Sequence, residues 1–167
     1  TKEKFTQIDS TSTTSGLSPL YTGFKVKIRE EDGILPEIAF LGGLSLPFTA
    51  HEDFETTYIA PSMRFAFSHT LNDRFSLGYN LGGEWDGEAA VTGFYYSLAL
   101  GIGITDAIGA YVESFGLIPE EGAESHMVDA GFTWLITPVF QFDISGGLGL
   151  NEDAADNYFS VGLTYRL

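Results

Sequence analysis

The chain ends in Phe159-Ser160-Val161-Gly162-Leu163-Thr164-Tyr165-Arg166-Leu167, and this stretch decides the fold. Every odd position is large and apolar, and every even position is small or polar except Arg166, which is charged. A period of two marks a β-strand with two unlike faces, because successive side chains leave the backbone on opposite sides. The rhythm repeats over Phe140–Leu150, where Phe140, Phe142, Ile144, Leu148 and Leu150 oppose Gln141, Asp143, Ser145, Gly147 and Gly149. It repeats again over Phe75–Trp85, where Phe75, Leu77, Tyr79, Leu81 and Trp85 oppose Ser76, Gly78, Asn80, Gly82 and Glu84. Six further runs read alike: about Tyr21–Ile28, Pro36–Leu46, Tyr58–Leu71, Gly93–Ile104, Ile108–Leu117 and Val128–Ile136. That makes roughly nine strands, most near the ~9–11 residues with which a tilted strand crosses a bilayer.

Composition fits the same class. Of 167 residues, 14 are Phe, 8 Tyr and 20 Gly, and only 19% are charged, against about 25% in soluble domains. No stretch approaches the ~18 apolar residues of a transmembrane helix. A transmembrane barrel needs an apolar residue only at every second strand position. A soluble sandwich or lipocalin-like barrel also alternates, but it would have to bury about nine strands' worth of Phe, Leu and Tyr inside one small barrel. The net charge of −15 argues against a nucleic-acid partner, which needs Lys and Arg. The absence of cysteine excludes disulfides and thiolate metal sites.

The connections alternate in kind. Leu71-Asn72-Asp73, Thr105-Asp106 and Thr137-Pro138 are short; His51–Thr57, Asp86–Ala90, Pro119–Ser125 and Asn151–Asn157 are longer and acidic. Outer-membrane barrels show this asymmetry between periplasmic turns and external loops, which puts Leu167 on the periplasmic side. Arg29–Leu35 falls on the same side and is long for that position. Tyr58, Trp85 and Tyr158 are expected in the outer aromatic girdle, and Phe75, Trp134, Phe140 and Tyr165 in the inner one. Ser10–Ser18 reads as a linker.

Five segments carry a family resemblance: GLSPLYTGFKVKI (16–28), GILPEIAFLGGLSLPF (33–48), RFSLGYNLGGEWDG (74–87), GIGITDAIGAYVESFG (101–116) and FSVGLTYRL (159–167). From Gly16 to Leu167 the chain resembles the bacterial outer-membrane family labelled "putative MetA-pathway of phenol degradation", in a version similar to those of Bacteroidetes-type bacteria. The resemblance implies an outer-membrane barrel that passes small hydrophobic or aromatic molecules. It brings no catalytic motif and no cofactor. Members carry further strands ahead of the segment that starts here. With the odd strand count, this suggests about three more strands and an intact barrel of about twelve, since single-chain bacterial barrels have even numbers. Thr1–Ile8 would then be the outer end of a preceding strand, and residues 1–167 one barrel domain without its N-terminal strands.

The residues expected to line the lumen are Lys25, Lys27, Glu37, Arg64, Glu84, Glu113, Asp129, Asp143 and Arg166, all on the Gly/Ser parity of their strands. They suit a polar channel that binds or passes a solute, or equally a salt-bridged plug. Their mixed signs favour internal pairing over a selectivity ring of one sign. The acidic loops, Glu52 and Asp53 among them, offer oxygen ligands for divalent ions that bridge lipopolysaccharide, or simply a solvated rim. Ser68 and His69 are adjacent, but neighbouring strand residues face opposite ways. No nucleophile or zinc motif occurs, so no enzyme is expected. The leading function is a passive channel or transporter in the bacterial outer membrane. Its partners are outer-membrane lipid, lipopolysaccharide and other outer-membrane proteins. The alternative is a structural or accessory barrel subunit of a larger complex.

Overall fold

The computed structural model describes residues 2–7, 10–88 and 92–166, the backbone alone for residues 2–7 and 10–14. Eleven strands run β1 Lys2–Gln7, β2 Ser10–Ser15, β3 Leu20–Arg29, β4 Glu37–Leu46, β5 Ala60–Thr70, β6 Phe75–Trp85, β7 Thr92–Gly103, β8 Ile108–Pro119, β9 Ser125–Thr137, β10 Phe140–Gly149 and β11 Asn157–Tyr165. Strands β3 to β11 form one antiparallel sheet in chain order, a nine-strand meander curled into a half-barrel. The only helices among the described residues are two three-residue 3-10 turns in the loop after β4.

The periodicity located all nine of these strands. Phe75–Trp85 coincides with β6 at both ends. The structure adds β1 and β2, a two-stranded hairpin with Lys2 opposite Ser15 and Gln7 opposite Ser10. Two expectations are corrected here. Ser10–Ser15 is a strand, because Thr-rich segments favour extended backbone even without apolar alternation. Within Thr1–Ile8, Lys2–Gln7 pairs with β2 and not with β3. Thr1, Ile8, Ala89, Ala90 and Leu167, the last of which set the periplasmic side, lie outside the described residues.

Curvature separates the two faces. Side chains diverge on the convex face and converge on the concave one. On the convex face Leu98 is 52%, Phe132 57% and Leu163 67% exposed, whereas on the concave face Ala39 is 3%, Ser97 2% and Asp129 7% exposed. Phe94, Leu100, Leu148 and Val161 are likewise exposed, and Phe142 and Ile144 are half-exposed, as the alternation requires. The buried hydrophobic residues are Ala39, Ala60, Met127 and Ala154. A soluble barrel would bury its Phe and Leu. Apart from Met127, the described residues that this sheet buries are small or polar, and most of its large apolar ones are presented on the convex face.

The sheet is open. β3 and β11 are its edges, and no pairing joins Tyr21–Ile28 to Phe159–Tyr165. The long turn at Arg29–Leu35 is internally tied. Asp32 and Leu35 exchange backbone hydrogen bonds of 3.0 and 3.1 Å, and Gly33, at φ 60°, supplies the left-handed residue. The Thr70 N–H at the end of β5 donates to Glu31 Oε1 at 2.7 Å.

Two measurements check this packing. A Cβ at Gly82 would stand 2.1 Å from the Met63 carbonyl oxygen on the neighbouring strand, whereas at Gly78 the nearest atom is 3.9 Å away. Gly82→Ala is therefore expected to cost about 1–3 kcal/mol in denaturant titration, and Gly78→Ala to stay within about 0.5 kcal/mol of the parent. The Thr70 backbone donor holds the Glu31 carboxyl below its ordinary pKa. A lowered carboxyl pKa stabilises the fold above the unfolded value and loses that contribution as pH falls through the folded value. Carboxyl-detected NMR is expected to show Glu31 titrating at lower pH than an ordinary glutamate, and Glu31→Gln to remove the acid-range loss at this turn.

Candidate functional site: the concave face

Register places the inward row of each strand beside that of the next. Arg64 on β5 sits opposite Gly82 on β6, which sits opposite Tyr95 on β7. Without a side chain at Gly82, Arg64 crosses β6. Its guanidinium carbon lies 3.8 Å from the centroid of the Tyr95 ring, and Nη2 donates to the Glu84 carboxylate. Stacking and ion pairing fix the same planar group from two sides. Next to it is a hollow of about 430 Å³ lined by Tyr21, Leu41, Ser45, Ser62, Arg64 and Glu84. The Tyr21 and Ser62 hydroxyls are 3.0 Å apart. On the following row the Asn80 amide donates to Ser97 Oγ at 2.8 Å.

A second group lies across β8 to β11. Glu113 is directly opposite Asp129, which is opposite Gly147, which is opposite Tyr158. The Tyr158 hydroxyl donates to Asp129 Oδ2. A third group lies near the short-turn end, where Lys27 Nζ reaches Glu30 at 3.0 Å and Glu37 at 3.2 Å.

The sequence-derived residues thus gather into Lys27–Glu37, Arg64–Glu84 and Glu113–Asp129. Asp143 shares the concave parity and lies within electrostatic reach of Tyr111. Lys25 shares it on the exposed edge strand β3. Arg166 lies beyond β11, with its N–H donating to the Val139 carbonyl at 2.8 Å. Sequence reasoning missed Tyr21, Tyr95, Asn80, Ser97 and Tyr111. Their parity carried the signal, but an aromatic on a small-residue face reads as noise, and the Tyr95-Tyr96 doublet hides which ring turns inward. Tyr158 was expected in the outer girdle. It points to the concave face instead, because Asp129 gives its hydroxyl a partner there.

Ser68 and His69 occupy opposite faces by register, and the His69 ring stacks on Tyr79 on the convex side. At the long-loop end the Tyr96 hydroxyl is 2.8 Å from His126 Nδ1, and Glu124 is 3.0 Å from His126 Nε2. The strength of the Arg64 assembly is testable by double-mutant cycles. Arg64→Met with Glu84→Gln is expected to give a coupling of roughly 1–3 kcal/mol, as for a part-buried charged hydrogen bond. Lys27→Met with Glu30→Gln, both exposed, is expected to give less than about 1 kcal/mol.

No curated protein matches the chain. The family described as "Putative MetA-pathway of phenol degradation" matches residues 2–167, which is nearly the whole chain and takes in every strand described above. The protein belongs to that family.

Proposed function

We propose that the half-barrel is the wall of a bacterial outer-membrane β-barrel, and that its concave face lines a passive route for small hydrophobic or aromatic solutes. One observation carries this reading: polarity is inverted, with Phe, Leu and Val exposed on the convex face and Ser97 and Asp129 buried on the concave one. In water so extensive an apolar surface drives association; against hydrocarbon it is solvated. The family's name, which ties it to phenol degradation, is compatible with this. So is the inner wall, where Tyr21, Tyr95, Tyr111 and Tyr158 offer ring faces for an aromatic solute and hydroxyls for its polar substituent.

A closed barrel requires strands between β3 and β11, which this sheet does not itself supply. The strand count and the family resemblance suggest about twelve in all. Lipid contacts the convex face in this reading, and lipopolysaccharide meets the acidic long-loop rim. No catalytic step is assigned. The ion pair of Arg64 with Glu84 favours a second reading, an internally braced accessory barrel within a larger outer-membrane complex.

Planar-bilayer recording of the intact protein separates the two. Stepwise open-channel currents are expected from the route, and a silent but inserted protein would overturn it in favour of the accessory barrel. The membrane placement has its own check. Leu98 lies near the middle of β7, so Leu98→Arg is expected to destabilise the protein in phospholipid vesicles by about 2–4 kcal/mol. A change near zero would contradict burial of that site in hydrocarbon.

A further inference from the structure

We propose that Asp129, with Glu113 opposite it and the rings of Tyr111 and Tyr158 beside it, binds an organic ammonium group. This names a solute class for the concave face and so rests on the reading of that face as a solute route.

The starting point is an unmet buried charge. Asp129 is 7% exposed. Its Oδ2 accepts from the Tyr158 hydroxyl, but its Oδ1 is buried and has no hydrogen-bond partner among the described residues. Glu113, directly across on β8, adds a second carboxylate, and like charges in that relation are unfavourable. A half-satisfied buried carboxylate is expensive unless a cation reaches it.

Among the described residues no Lys or Arg forms an ion pair with Asp129 or Glu113. The chain's eight basic residues are Lys2, Lys4, Lys25, Lys27, Arg29, Arg64, Arg74 and Arg166. From Phe75 to Tyr165, which spans β6 to β11, there is no Lys or Arg. Arg64, two strands from β7, is committed to Glu84 and Tyr95. The overall charge of −15 concentrates mobile cations at the protein. A cation from solution is the neutralising group that the described strands leave room for.

The walls select the kind of cation. A Cβ at Gly147 would lie 2.3 Å from the Tyr158 ring, and one at Gly131 2.5 Å from the Tyr111 ring. Each ring thus covers a glycine, one across the strand pairing from Asp129 and one at the next inward position of β9. Aromatic rings beside a carboxylate suit an alkylammonium, which combines charge-assisted hydrogen bonds with cation–π contact. A bare divalent ion would need six or more oxygen ligands, and no group of three or more His, Asp or Glu side chains is arranged to hold a metal among the described residues.

The test uses the intact protein in detergent micelles and a matched pair of probes: tyramine, and 4-propylphenol, in which a methyl replaces the ammonium. Isothermal titration calorimetry at neutral pH is expected to show tyramine binding at least about tenfold more tightly. Asp129→Asn, which keeps the shape, is expected to bring the two within about twofold without weakening 4-propylphenol. Glu113→Gln, which leaves the buried group intact, is expected to reduce the preference partway and serves should the Asp129 variant fail to fold. Equal binding of both probes to the unaltered protein, or a preference that survives both substitutions, overturns the proposal. If the preference is present but the bilayers are silent, the site stands and the route fails. If the channel conducts but shows no preference, the route stands and the site fails.

Discussion

The structure depends on an antiparallel hydrogen-bond ladder that keeps its parity from β3 to β11. A slip of one residue between any two strands would send an entire row of side chains to the wrong face. Two register shifts occur, between Lys27 and Arg29 on β3 and between Phe140 and Gln141 on β10. Both lie at the short-turn end, so the middle of the sheet is uninterrupted. The exposure of Leu98 and Val161 and the burial of Ser97 follow from that continuity. So does the alignment of Arg64 with Gly82 and Tyr95, and of Glu113 with Asp129.

Side-chain size then gives the sheet its curvature. Gly, Ala and Ser dominate the inward rows, and a bulky inward residue is accommodated where a glycine faces it, as Arg64 is by Gly82 and Tyr158 by Gly147. The outward rows carry the aromatic packing. Phe40 lies 5.2 Å from Phe65, and Phe67 stacks on Tyr79 at 4.8 Å. These contacts run across neighbouring strands and reinforce the pairing, but they close no core. The sheet is held by its ladder, by these cross-strand rows and by whatever solvates its convex face. The same division puts the chemistry on one side only, since charge is tolerable where water or a paired group reaches it and not against hydrocarbon.

The strands and their faces were legible because period two is a local signal that needs no knowledge of the neighbours. The pairing of inward residues was not. Arg64 and Glu84 could be assigned to one face, yet their meeting depends on the register set by the turn at Leu71–Arg74, which alternation does not encode. Tyr158 was misplaced because its position at a strand end outweighed its parity. Ser10–Ser18 reads as a linker because a strand of Ser and Thr, as Ser10–Ser15 is, has no apolar face to alternate. The long turn at Arg29–Leu35 made sense only once the Thr70 contact with Glu31 was visible.

The central claim is that the convex face meets lipid and the concave face does not. The chain has no cysteine, so single cysteines can be placed along Phe140–Gly149 and nitroxide-labelled in protein reconstituted into vesicles. Collision with oxygen, which concentrates in hydrocarbon, is expected to peak at Phe142, Ile144 and Leu148. Collision with a water-soluble nickel chelate is expected to peak at Gln141, Asp143 and Ser145. Opposite phases with a period of two are what the account predicts. Oxygen and chelate accessibilities that rise and fall together, or the reverse phase, would contradict it.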